Sequence, residues 1–499
     1  MAPALDVKKI AMIGCGSMGG GMAQLFAEQG MSVGLQDPST DAMDQLIQRA
    51  QKDGVPNELK RFDDYKSLCA WLDNPRVFVW SLPHGFVGDK VLEGLMPYLS
   101  KGDIIIDAAN EHWENSERRM GVCVTKGIRY VGMGVSGGYQ AARRGPSMCP
   151  AADDETLDMV LPLLEKVAAK GSNGKPCVGR AGTGGAGHYV KMIHNGIEHG
   201  MMSAISEAWG IMIKGLGMSN DEISDEFQRW NENGELRNTF LVDISAKICR
   251  TKDPKTGERV LDTVEDKVVQ DVTGEEGTGV WSNTEAVAEH IPAPTMTVAH
   301  YLRLASSDLA QRRRINKTFG GNAPPQTLEG VQKKEFLESL RLATYLGCLA
   351  SYVQGMIIID RADKEKHFNI NYNDVLQIWS GGCIIQADYI SEKLLHPIYK
   401  DYKSKDSINP LYETAVADEF KRGFSDLKKV CLKAMEGDHN IPALSATLEW
   451  LKILTSVDLP TSFYEAQLDY FGNHMYDKKG DDPSGAAVTG KYSFEWKPA

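Results

Sequence analysis

Four polar side chains of types that can move protons recur along one predicted helix. In the segment GHYVKMIHNGIEHG, Lys191, His194, Asn195 and Glu198 stand at positions i, i+3, i+4 and i+7. At the helical period these positions fall within roughly 100° of arc on one face. A lysine and a glutamate so placed are often a solvated ion pair. With histidine and asparagine between them, the face could instead deprotonate a hydroxyl, orient it and later return a proton.

Two other segments place small polar groups where strands are expected to end. In Val135-Ser136-Gly137-Gly138 a hydroxyl lies beside two backbone amides without side chains, which suits a carboxylate or an oxyanion. A plain turn at a strand end fits this segment equally well. Asp107-Ala108-Ala109-Asn110 closes a strand at the carboxyl edge of a sheet, where ligands bind in open α/β folds.

A glycine-rich loop near the N-terminus matches the pattern GxGxxG, with the residues Gly14, Cys15, Gly16, Ser17, Met18 and Gly19. It follows a predicted strand and opens a predicted helix, and Asp37 ends the next strand. This is the arrangement of a dinucleotide site, in which the pyrophosphate meets a helix N-terminus and the acid accepts from the adenosine ribose. Two further matches, Gly132–Gly137 and Gly182–Gly187, lack either a following apolar helix or a clear preceding strand, so we expect no cofactor there.

Asp37 also bears on the choice between the two nicotinamide cofactors. A carboxylate at this position repels the additional phosphate of NADP, and the next residue is Pro38 rather than an arginine. The residues therefore predict a preference for NAD. Two alternatives stay open: Asp37 only caps a turn, or Arg49 or Lys52 supplies a positive charge.

Alternating strands and helices predict the fold of the N-terminal part. The candidate strands are Ile10–Ile13, Ser32–Gln36, Val77–Ser81 and Ile104–Asp107, with helical patterns at Met18–Glu28 and Val87–Leu99. Near-continuous apolar strands between helices are typical of a doubly wound parallel sheet. After a glycine-rich hinge at 171–187, helical periodicity dominates near 188–216, 219–231, 235–250, 283–308, 333–359 and 411–435. We expect an α/β Rossmann-type domain over 1–184, a large all-α domain over 185–456 and an aperiodic C-terminal tail over 457–499.

Composition excludes several classes of protein. A chain of 499 residues needs two or three domains, and a formal charge of −12 argues against a nucleic-acid binder. Nine widely spaced cysteines form no metal or redox motif, so we expect no metal site and a reducing, cytoplasmic location. The start MAPALDVKK lacks the apolar core of a signal peptide, and no apolar run of 18 residues predicts a membrane span.

These features together resemble the 6-phosphogluconate dehydrogenases, a family among the β-hydroxyacid dehydrogenases. The motifs that carry the resemblance are GCGSMG, IIDAAN, GVSGG, GHYVKMIHNGIE, EGTGVW, WSGGCII and LDYFGNH, from about Lys8 to Tyr476. The resemblance implies oxidative decarboxylation of 6-phospho-D-gluconate to ribulose 5-phosphate, a pentose phosphate pathway reaction. It also implies NADP or NAD as cofactor, and a homodimer formed by the helical domain, with each tail reaching the partner subunit.

The same resemblance implies roles for individual residues. Lys191 would take the proton of the C3 hydroxyl as hydride leaves C3, and Glu198 would protonate C1 of the enediol. The substrate would be bound by Asn110, Ser136, Gly137, Gly138, His194, Asn195, His199, Thr278, Arg303 and His474, the last from the partner subunit. The cofactor would be bound by the loop Gly14 to Gly19 and by Asp37, Pro38, Ser39, Leu82 and Asn110.

The sequence departs from the family pattern at both phosphate groups. Around the substrate phosphate, the family's tyrosine, lysine and arginine are replaced by His199, Glu276 and Leu468. In the family, the lysine, the arginine and the arginine retained here as Arg303 give this site a formal charge of +3. Here Glu276 offsets Arg303, so the formal charge is zero, unless His300 or one of Arg312, Arg313 and Arg314 supplies a positive charge. At the NADP phosphate, Asp37-Pro38-Ser39 replaces Asn-Arg-Thr, and Pro83 replaces a lysine.

Three hypotheses follow for the function. The first is the family reaction on 6-phosphogluconate, and the second is the same chemistry on an aldonate without phosphate. The third is a non-catalytic protein that binds a nucleotide.

Overall fold

A computed structural model describes residues 5–271, 277–321, 324–400, 408–481 and 490–496 of the chain. The strands are β1 Lys9–Ile13, β2 Ser32–Gln36, β3 Leu59–Arg61, β4 Val77–Trp80, β5 Ile104–Asp107, β6 Arg129–Ser136 and β7 Ser147–Ala151. The helices are α1 Ser17–Glu28, α2 Thr40–Lys52, α3 Tyr65–Trp71, α4 Phe86–Leu95, α5 Trp113–Val124, α6 Gly138–Arg144, α7 Asp154–Glu165, α8 Ala186–Gly210, α9 Asn220–Glu232, α10 Phe240–Arg250, α11 Thr278–Ala288, α12 Pro294–Ser307, α13 Leu309–Thr318, α14 Lys333–Lys366, α15 Tyr372–Ile378, α16 His396–Tyr399, α17 Thr414–Glu436, α18 Pro442–Leu454 and α19 Thr461–Gly472. The chain divides into two compact units, Met1–Thr447 and Leu448–Ala499. The expected domain boundaries at 184 and 456 stay predictions.

The seven strands form one sheet in the order β3-β2-β1-β4-β5-β6-β7. Neighbouring strands from β3 to β6 are parallel, and β7 runs antiparallel to β6. All residues of β4 and β5 are buried, because the crossover helices cover both faces of the sheet. The predicted α/β Rossmann-type domain followed by a large helical region is confirmed. The sheet is larger than the four strands predicted, since β3, β6 and β7 were not among them.

Strand order reverses between β1 and β4, which opens a crevice at the carboxyl edge of the sheet. Four loops with predicted site residues end at this edge: Gly14 follows β1, Leu82 follows β4, Asn110 follows β5, and Gly137 follows β6. The topology therefore brings together residues that are more than a hundred positions apart.

Helix α8 packs directly on β6 because glycines remove the side chains that would separate them. A Cβ atom on Gly187 would lie 2.2 Å from the carbonyl oxygen of Gly132, and one on Gly134 would lie 2.3 Å from Cβ of Lys191. These glycines belong to the second and third GxGxxG matches, which therefore have a packing role. The match at Gly132–Gly137 lies mostly within β6 itself.

The helical region is built around α8 and the 34-residue helix α14. By length and composition α14 is a helix that could cross a membrane, although the apolar runs of the sequence predicted no such segment. Its apolar window is 89% buried inside the protein, as in the core helix of a soluble fold. The single helix predicted at 283–308 is two helices, α11 and α12, because Pro292 and Pro294 interrupt the backbone hydrogen bonds.

The C-terminal unit, Leu448–Ala499, contains regular structure where none was predicted. Helix α19 forms at Thr461–Gly472, so the expectation of an aperiodic tail is wrong there. The buried carboxylate of Asp469 accepts hydrogen bonds from the backbone N–H groups of Met475 (3.1 Å) and Phe494 (3.0 Å) and from the indole of Trp496 (2.8 Å). These bonds hold residues 490–496 on the end of the helix.

Candidate active site

The side chain of Lys191 lies among the polar residues of its own helix. Its Nζ is 3.4 Å from Nδ1 of His194, and the Glu198 carboxylate is 3.9 Å from the same Nδ1. The side chain of Glu198 is 22% exposed, so it is open to a ligand from one side. The structure thus places the three titratable groups of the predicted helix face together.

His194 connects that helix face to β6 and to the loop after α15. Asn195 donates through Nδ2 to Thr278 Oγ1 (2.9 Å), which turns its Oδ1 toward Nδ1 of His194 at 3.0 Å. His194 therefore carries its proton on Nδ1, and Nε2 accepts from the Ser136 hydroxyl at 3.0 Å. The thiol of Cys383 lies 3.5 Å from the same Nε2. Every hydrogen-bonding atom of this imidazole has a partner, so the ring is fixed.

Burial governs protonation at this end of the site. It lowers the pKa of Lys191 below the ordinary value, opposed by the negative charge of Glu198. Burial and the nearby Lys191 hold the pKa of His194 well below its ordinary value, so the ring is neutral. Since His194 offers Lys191 an N–H rather than a lone pair, the contact gives no stabilisation to an ammonium ion. Burial and the N–H of His194 therefore favour a neutral amine that can accept a proton, and the charge of Glu198 opposes them.

The loop after β6 adopts a backbone that only glycine tolerates well. Gly137 has φ +110° and Gly138 has φ +69°, and a Cβ on Gly137 would lie 2.3 Å from the carbonyl oxygen of Gly382. The buried Ser136 is held just before this turn by His194. The pair of glycines thus lets the loop of residues 379–383 approach the end of the strand.

One turn beyond Asn195 on α8, His199 contacts helix α12. Arg303 donates to Nε2 of His199, and its own Nε donates to the carboxylate of Asp271 at 3.0 Å. The ring of His300 stacks on His199 with centroids 5.8 Å apart and planes 8° from parallel. Burial, followed by the charge of Arg303, holds the pKa of His199 well below its ordinary value. Glu276, where the sequence analysis expected a repulsive charge, lies outside the described residues.

The N-terminal glycine loop fits a dinucleotide. Gly14 has φ +92°, and a Cβ there would lie 2.2 Å from the carbonyl oxygen of Ser81, whereas a Cβ on Gly16 would meet no atom within 4 Å. The carboxylate of Asp37 accepts from the backbone N–H groups of Cys15 (2.7 Å) and Ser39 (2.8 Å). Gly14 thus makes the tight turn, and the space above Gly16 can admit a pyrophosphate at the start of α1.

Pro38 and Leu82 flank this loop, and neither side chain carries a charge. Pro38 is exposed beside Asp37, and Leu82 is half-buried. Cδ2 of Leu82 lies 3.3 Å from the position of a Cβ on Gly14, so the leucine forms an apolar wall of the crevice.

A buried arginine that sequence reasoning missed fixes the loops around Leu82 and Asn110. Arg119 of α5 donates to the carboxylate of Glu111 (2.8 Å) and to the carbonyl oxygen of Gly85 (2.6 Å). The backbone N–H of Gly85 also donates to Glu111 (2.8 Å). The only sequence signal is an arginine within an amphipathic helix, which usually indicates a solvated face.

Two other predicted residues, His474 and Leu468, lie in the C-terminal unit. His474 packs its ring against Phe471, with centroids 5.8 Å apart, and Leu468 belongs to helix α19. Three residues around the candidate active site were not predicted from the sequence: Cys383, Asp271 and Arg119. Cys383 and Asp271 contact residues that are distant in sequence, and Arg119 forms a buried ion pair with Glu111. The periodicity of a single helix or strand predicts neither kind of contact.

Comparison with known proteins agrees with this architecture. Residues 9–182 match the model of the NAD binding domain of 6-phosphogluconate dehydrogenase, and residues 187–496 match the model of the 6-phosphogluconate dehydrogenase C-terminal domain. The chain is 41% identical to the decarboxylating 6-phosphogluconate dehydrogenase of Emericella nidulans, over 97% of this chain and 100% of that protein. It is 33% identical to the Salmonella typhimurium enzyme, over 95% of this chain and 98% of that one.

A solved structure extends the similarity to three dimensions. It is that of Plasmodium falciparum 6-phosphogluconate dehydrogenase, studied in its apo form and in complexes with NADP+ and with 6-phosphogluconate. It is 31% identical with a TM-score of 0.86, over 98% of this chain and all of that one. Two family models covering nearly the whole chain, together with these relatives, show that the chain belongs to the 6-phosphogluconate dehydrogenase family.

Proposed function

We propose that the protein catalyses the oxidative decarboxylation of 6-phospho-D-gluconate to ribulose 5-phosphate, the reaction of the pentose phosphate pathway. The observation that carries the proposal is the half-buried Lys191, whose pKa is lowered and whose Nζ lies 3.4 Å from Nδ1 of a fixed, neutral His194. The names of the similar proteins supply the substrate and the reaction.

The residues of the chain divide the chemistry among them. A nicotinamide dinucleotide at the glycine loop supplies the hydride acceptor for C3. Neutral Lys191 accepts the proton of the C3 hydroxyl, and its ammonium form then donates a hydrogen bond to the new carbonyl oxygen while the carboxyl group leaves as CO2. Lys191 returns its proton to the enediolate oxygen, and Glu198, which is protonated at this step, delivers a proton to C1 of the enediol. The remaining hydroxyl proton goes to Lys191 and passes from there to Glu198, which restores the starting state of both groups. Ser136, Asn195 and the amides of Gly137 and Gly138 orient the substrate.

The direct test is to incubate the purified protein with 6-phosphogluconate and each nicotinamide cofactor. We expect absorbance of the reduced cofactor to rise at 340 nm together with stoichiometric CO2. Binding of cofactor without turnover of any phosphorylated or plain aldonate would instead indicate the non-catalytic protein.

We further propose that the cofactor is NAD rather than NADP. Asp37 presents a half-buried carboxylate, held by two backbone amides, where the adenosine ribose is expected, and Pro38 adds no positive charge. The double variant Asp37→Asn, Pro38→Arg removes the repulsion and adds a cation. Its ratio of kcat/KM for NADP to that for NAD is expected to rise between about tenfold and a hundredfold, since one charged hydrogen bond is worth about that much. An unchanged ratio would show that Asp37 and Pro38 do not set the choice of cofactor.

A second candidate function is the same chemistry on an aldonate without phosphate. It is favoured by the pairing of Arg303 with Asp271, which leaves no net formal charge on that pair. Comparable kcat/KM for gluconate and 6-phosphogluconate would support this alternative, whereas strong preference for the phosphorylated acid would exclude it.

We also propose a cytoplasmic homodimer in which His474 of the partner subunit completes the substrate site. All nine cysteines are free thiols, as a reducing compartment requires. Helix α19 and the segment after it expose Phe463, Tyr464, Phe471 and Phe494, an apolar surface that a second copy would cover. Sedimentation at micromolar concentration tests the dimer. Activity recovered by mixing a His474→Ala variant with a Lys191→Ala variant tests the shared site, because only the mixed dimer then holds one intact site.

A further inference from the structure

A buried carboxylate joins the two loops that follow β4 and β5. Glu111 accepts through Oε2 from the backbone N–H of Gly85 and from Nη1 of Arg119, both at 2.8 Å. Its Oε1 accepts from the backbone N–H of His112 and from Nδ2 of Asn115, again at 2.8 Å. The side chain is only 1% exposed, and these hydrogen bonds replace the water that it loses on burial. Glu111 therefore holds Gly85 and His112, which belong to different loops, in one arrangement.

Glu111 and Arg119 form an ion pair in which both side chains are buried. Burial by itself would raise the pKa of Glu111, but the hydrogen bond from Asn115 and the charge of Arg119 hold that pKa below its ordinary value. The carboxylate is therefore ionised at neutral pH. Removing two charges from water costs about as much free energy as their attraction returns, so a buried pair adds little stability. The geometry that the pair imposes on the two loops is the better explanation for its presence.

The two loops border the half of the crevice where the nicotinamide belongs. The strand order divides the sheet between β1 and β4, and a dinucleotide spans such a division with one nucleotide on each half. Asp37, the proposed acceptor from the adenosine ribose, follows β2 on one half. The nicotinamide therefore belongs over β4 and β5, beside Leu82 and Asn110, which lie in the loops that Glu111 joins.

The same loops also contact the helical region, where the substrate is proposed to bind. The rings of His84 and His112 lie against the indole of Trp281, with centroids 5.1 and 5.3 Å away and planes close to perpendicular. Trp281 is one turn after Thr278 on α11, and Thr278 accepts from the amide of Asn195 on α8. A shift of these loops would therefore move the nicotinamide relative to the substrate.

We infer that Glu111 is a positioning residue for the cofactor, because its four hydrogen bonds fix the loops that place the nicotinamide ring beside the substrate. It acts through the backbone of Gly85 and His112, so it needs no contact with the cofactor itself. The inference rests on the proposed function and deepens it, since it assigns the geometry of hydride transfer to a residue outside the reacting groups. Glu111 was not among the site residues predicted from the sequence.

A second buried carboxylate on the same two strands provides a matched control. Asp103 directly precedes β5 and is 1% exposed. It accepts from the backbone N–H of Arg76 (2.9 Å), which directly precedes β4, and from Nη1 of the same arginine (3.0 Å). Asp103 thus joins the same strands as Glu111, but at the amino edge of the parallel sheet, away from the crevice.

The test compares two ligands that differ by the nicotinamide ring, namely NADH and ADP-ribose. Calorimetric titration of the purified protein gives an affinity ratio, defined as Kd for ADP-ribose divided by Kd for NADH. If the wild type prefers the phosphorylated dinucleotide, NADPH and 2′-phospho-ADP-ribose replace this pair. The variants are Glu111→Gln, which keeps the shape and removes the charge, Asn115→Ala, which removes one donor to Glu111, and Asp103→Asn as the control.

We expect Glu111→Gln to lower the affinity ratio between about threefold and tenfold, the worth of about one hydrogen bond, with Kd for ADP-ribose within about twofold of the wild type. Its kcat on 6-phosphogluconate should fall between about tenfold and a hundredfold, because a displacement of about 1 Å from the reactive geometry costs up to that much. Asn115→Ala should lower the ratio by about threefold, and it carries the test if Glu111→Gln does not fold. Asp103→Asn should keep the ratio and the kcat of the wild type.

An unchanged ratio in Glu111→Gln or, if that variant does not fold, in Asn115→Ala would overturn the inference. Equal losses of affinity for both ligands, an equal fall of the ratio in Asp103→Asn, or a wild type that binds the two ligands equally would overturn it too. Binding needs no turnover, so the affinity ratio separates this inference from the proposed function. If the wild type binds NADH but oxidises no aldonate, the proposed reaction fails, and the ratio in Glu111→Gln still supports or overturns the positioning role.

Discussion

The two halves of helix α8 bury polar groups in opposite ways. In the first half, Lys191 and Glu198 keep hydrogen-bonding capacity for a ligand around the fixed ring of His194. In the second half, the carboxylate of Glu207 is fully buried, and it accepts from Ser203 Oγ (2.7 Å) and from two backbone N–H groups at the start of α18, at 2.8 and 2.9 Å. Both halves perturb the pKa values of their groups, yet only the first leaves those groups accessible to a substrate.

The difference teaches that a shifted pKa alone does not identify an active site. Burial raises the pKa of Glu207 to about 7, a value suited to a general acid, but its hydrogen bonds join α8 to α18. Lys191 is the better candidate for an acid–base residue, because His194 orients its amine and leaves the amine able to bind a ligand. Variants of the two halves should therefore separate catalysis from stability.

The largest effect is expected from Lys191→Met. Removing the proposed base should lower kcat by at least about a thousandfold, the upper range for a positioned acid–base group, and leave cofactor affinity within about twofold. Steady-state rates and fluorescence titration of the cofactor measure the two quantities. Lys214→Met, at an exposed lysine just after α8, is the matched control; a Lys191→Met enzyme with normal turnover would remove Lys191 from the mechanism.

Glu198→Gln should lower kcat by about a hundredfold, because the proton donor for the enediol is lost. It should also move the acid limb of the kcat/KM profile. The negative charge of Glu198 raises the pKa of Lys191, so its removal lowers that pKa, and Lys191 stays neutral to a lower pH. A pH–rate profile that is displaced toward alkaline pH would contradict this electrostatic coupling.

Asn195→Ala should raise KM for the sugar acid by up to about tenfold, the worth of one or two neutral hydrogen bonds. Without the amide, the His194 proton on Nδ1 loses its acceptor Oδ1, and the Ser136 hydroxyl loses a fixed acceptor. Thr278→Val removes only the hydroxyl that orients the amide, so its effect should be smaller. Equal effects of the two variants would show that Thr278 acts on the substrate directly.

The smallest effect on activity, and the clearest on stability, is expected from Glu207→Gln. The folded pKa of about 7 lies above the ordinary 4.5, so Glu207 favours folding below pH 4.5 and loses this contribution as pH rises to about 7. Urea unfolding should show the wild type losing about 3 kcal/mol relative to the variant between these pH values. Glu93→Gln, at an exposed carboxylate, should show no such pH dependence; a constant difference for Glu207→Gln would refute the raised pKa.

Much of the nucleotide domain could be predicted because its signals are local. The apolar runs at β1, β2, β4 and β5 were located to within a residue, since strands buried on both faces need continuous apolar sequence. The strands β3 and β6 were not among those predicted, because β3 has only three residues and glycines separate the apolar residues of β6. The break between α11 and α12 was overlooked although two prolines mark it.

The sequence by itself determined which residues share a helix face, since Lys191, His194, Asn195 and Glu198 follow from a period of 3.6 alone. It also determined the family, through motifs spread along most of the chain. Only the tertiary structure decided the partners of His194 and His199. Ser136, Cys383, Asp271 and Arg303 come from other elements, and whether a buried donor finds an acceptor depends on how those elements pack.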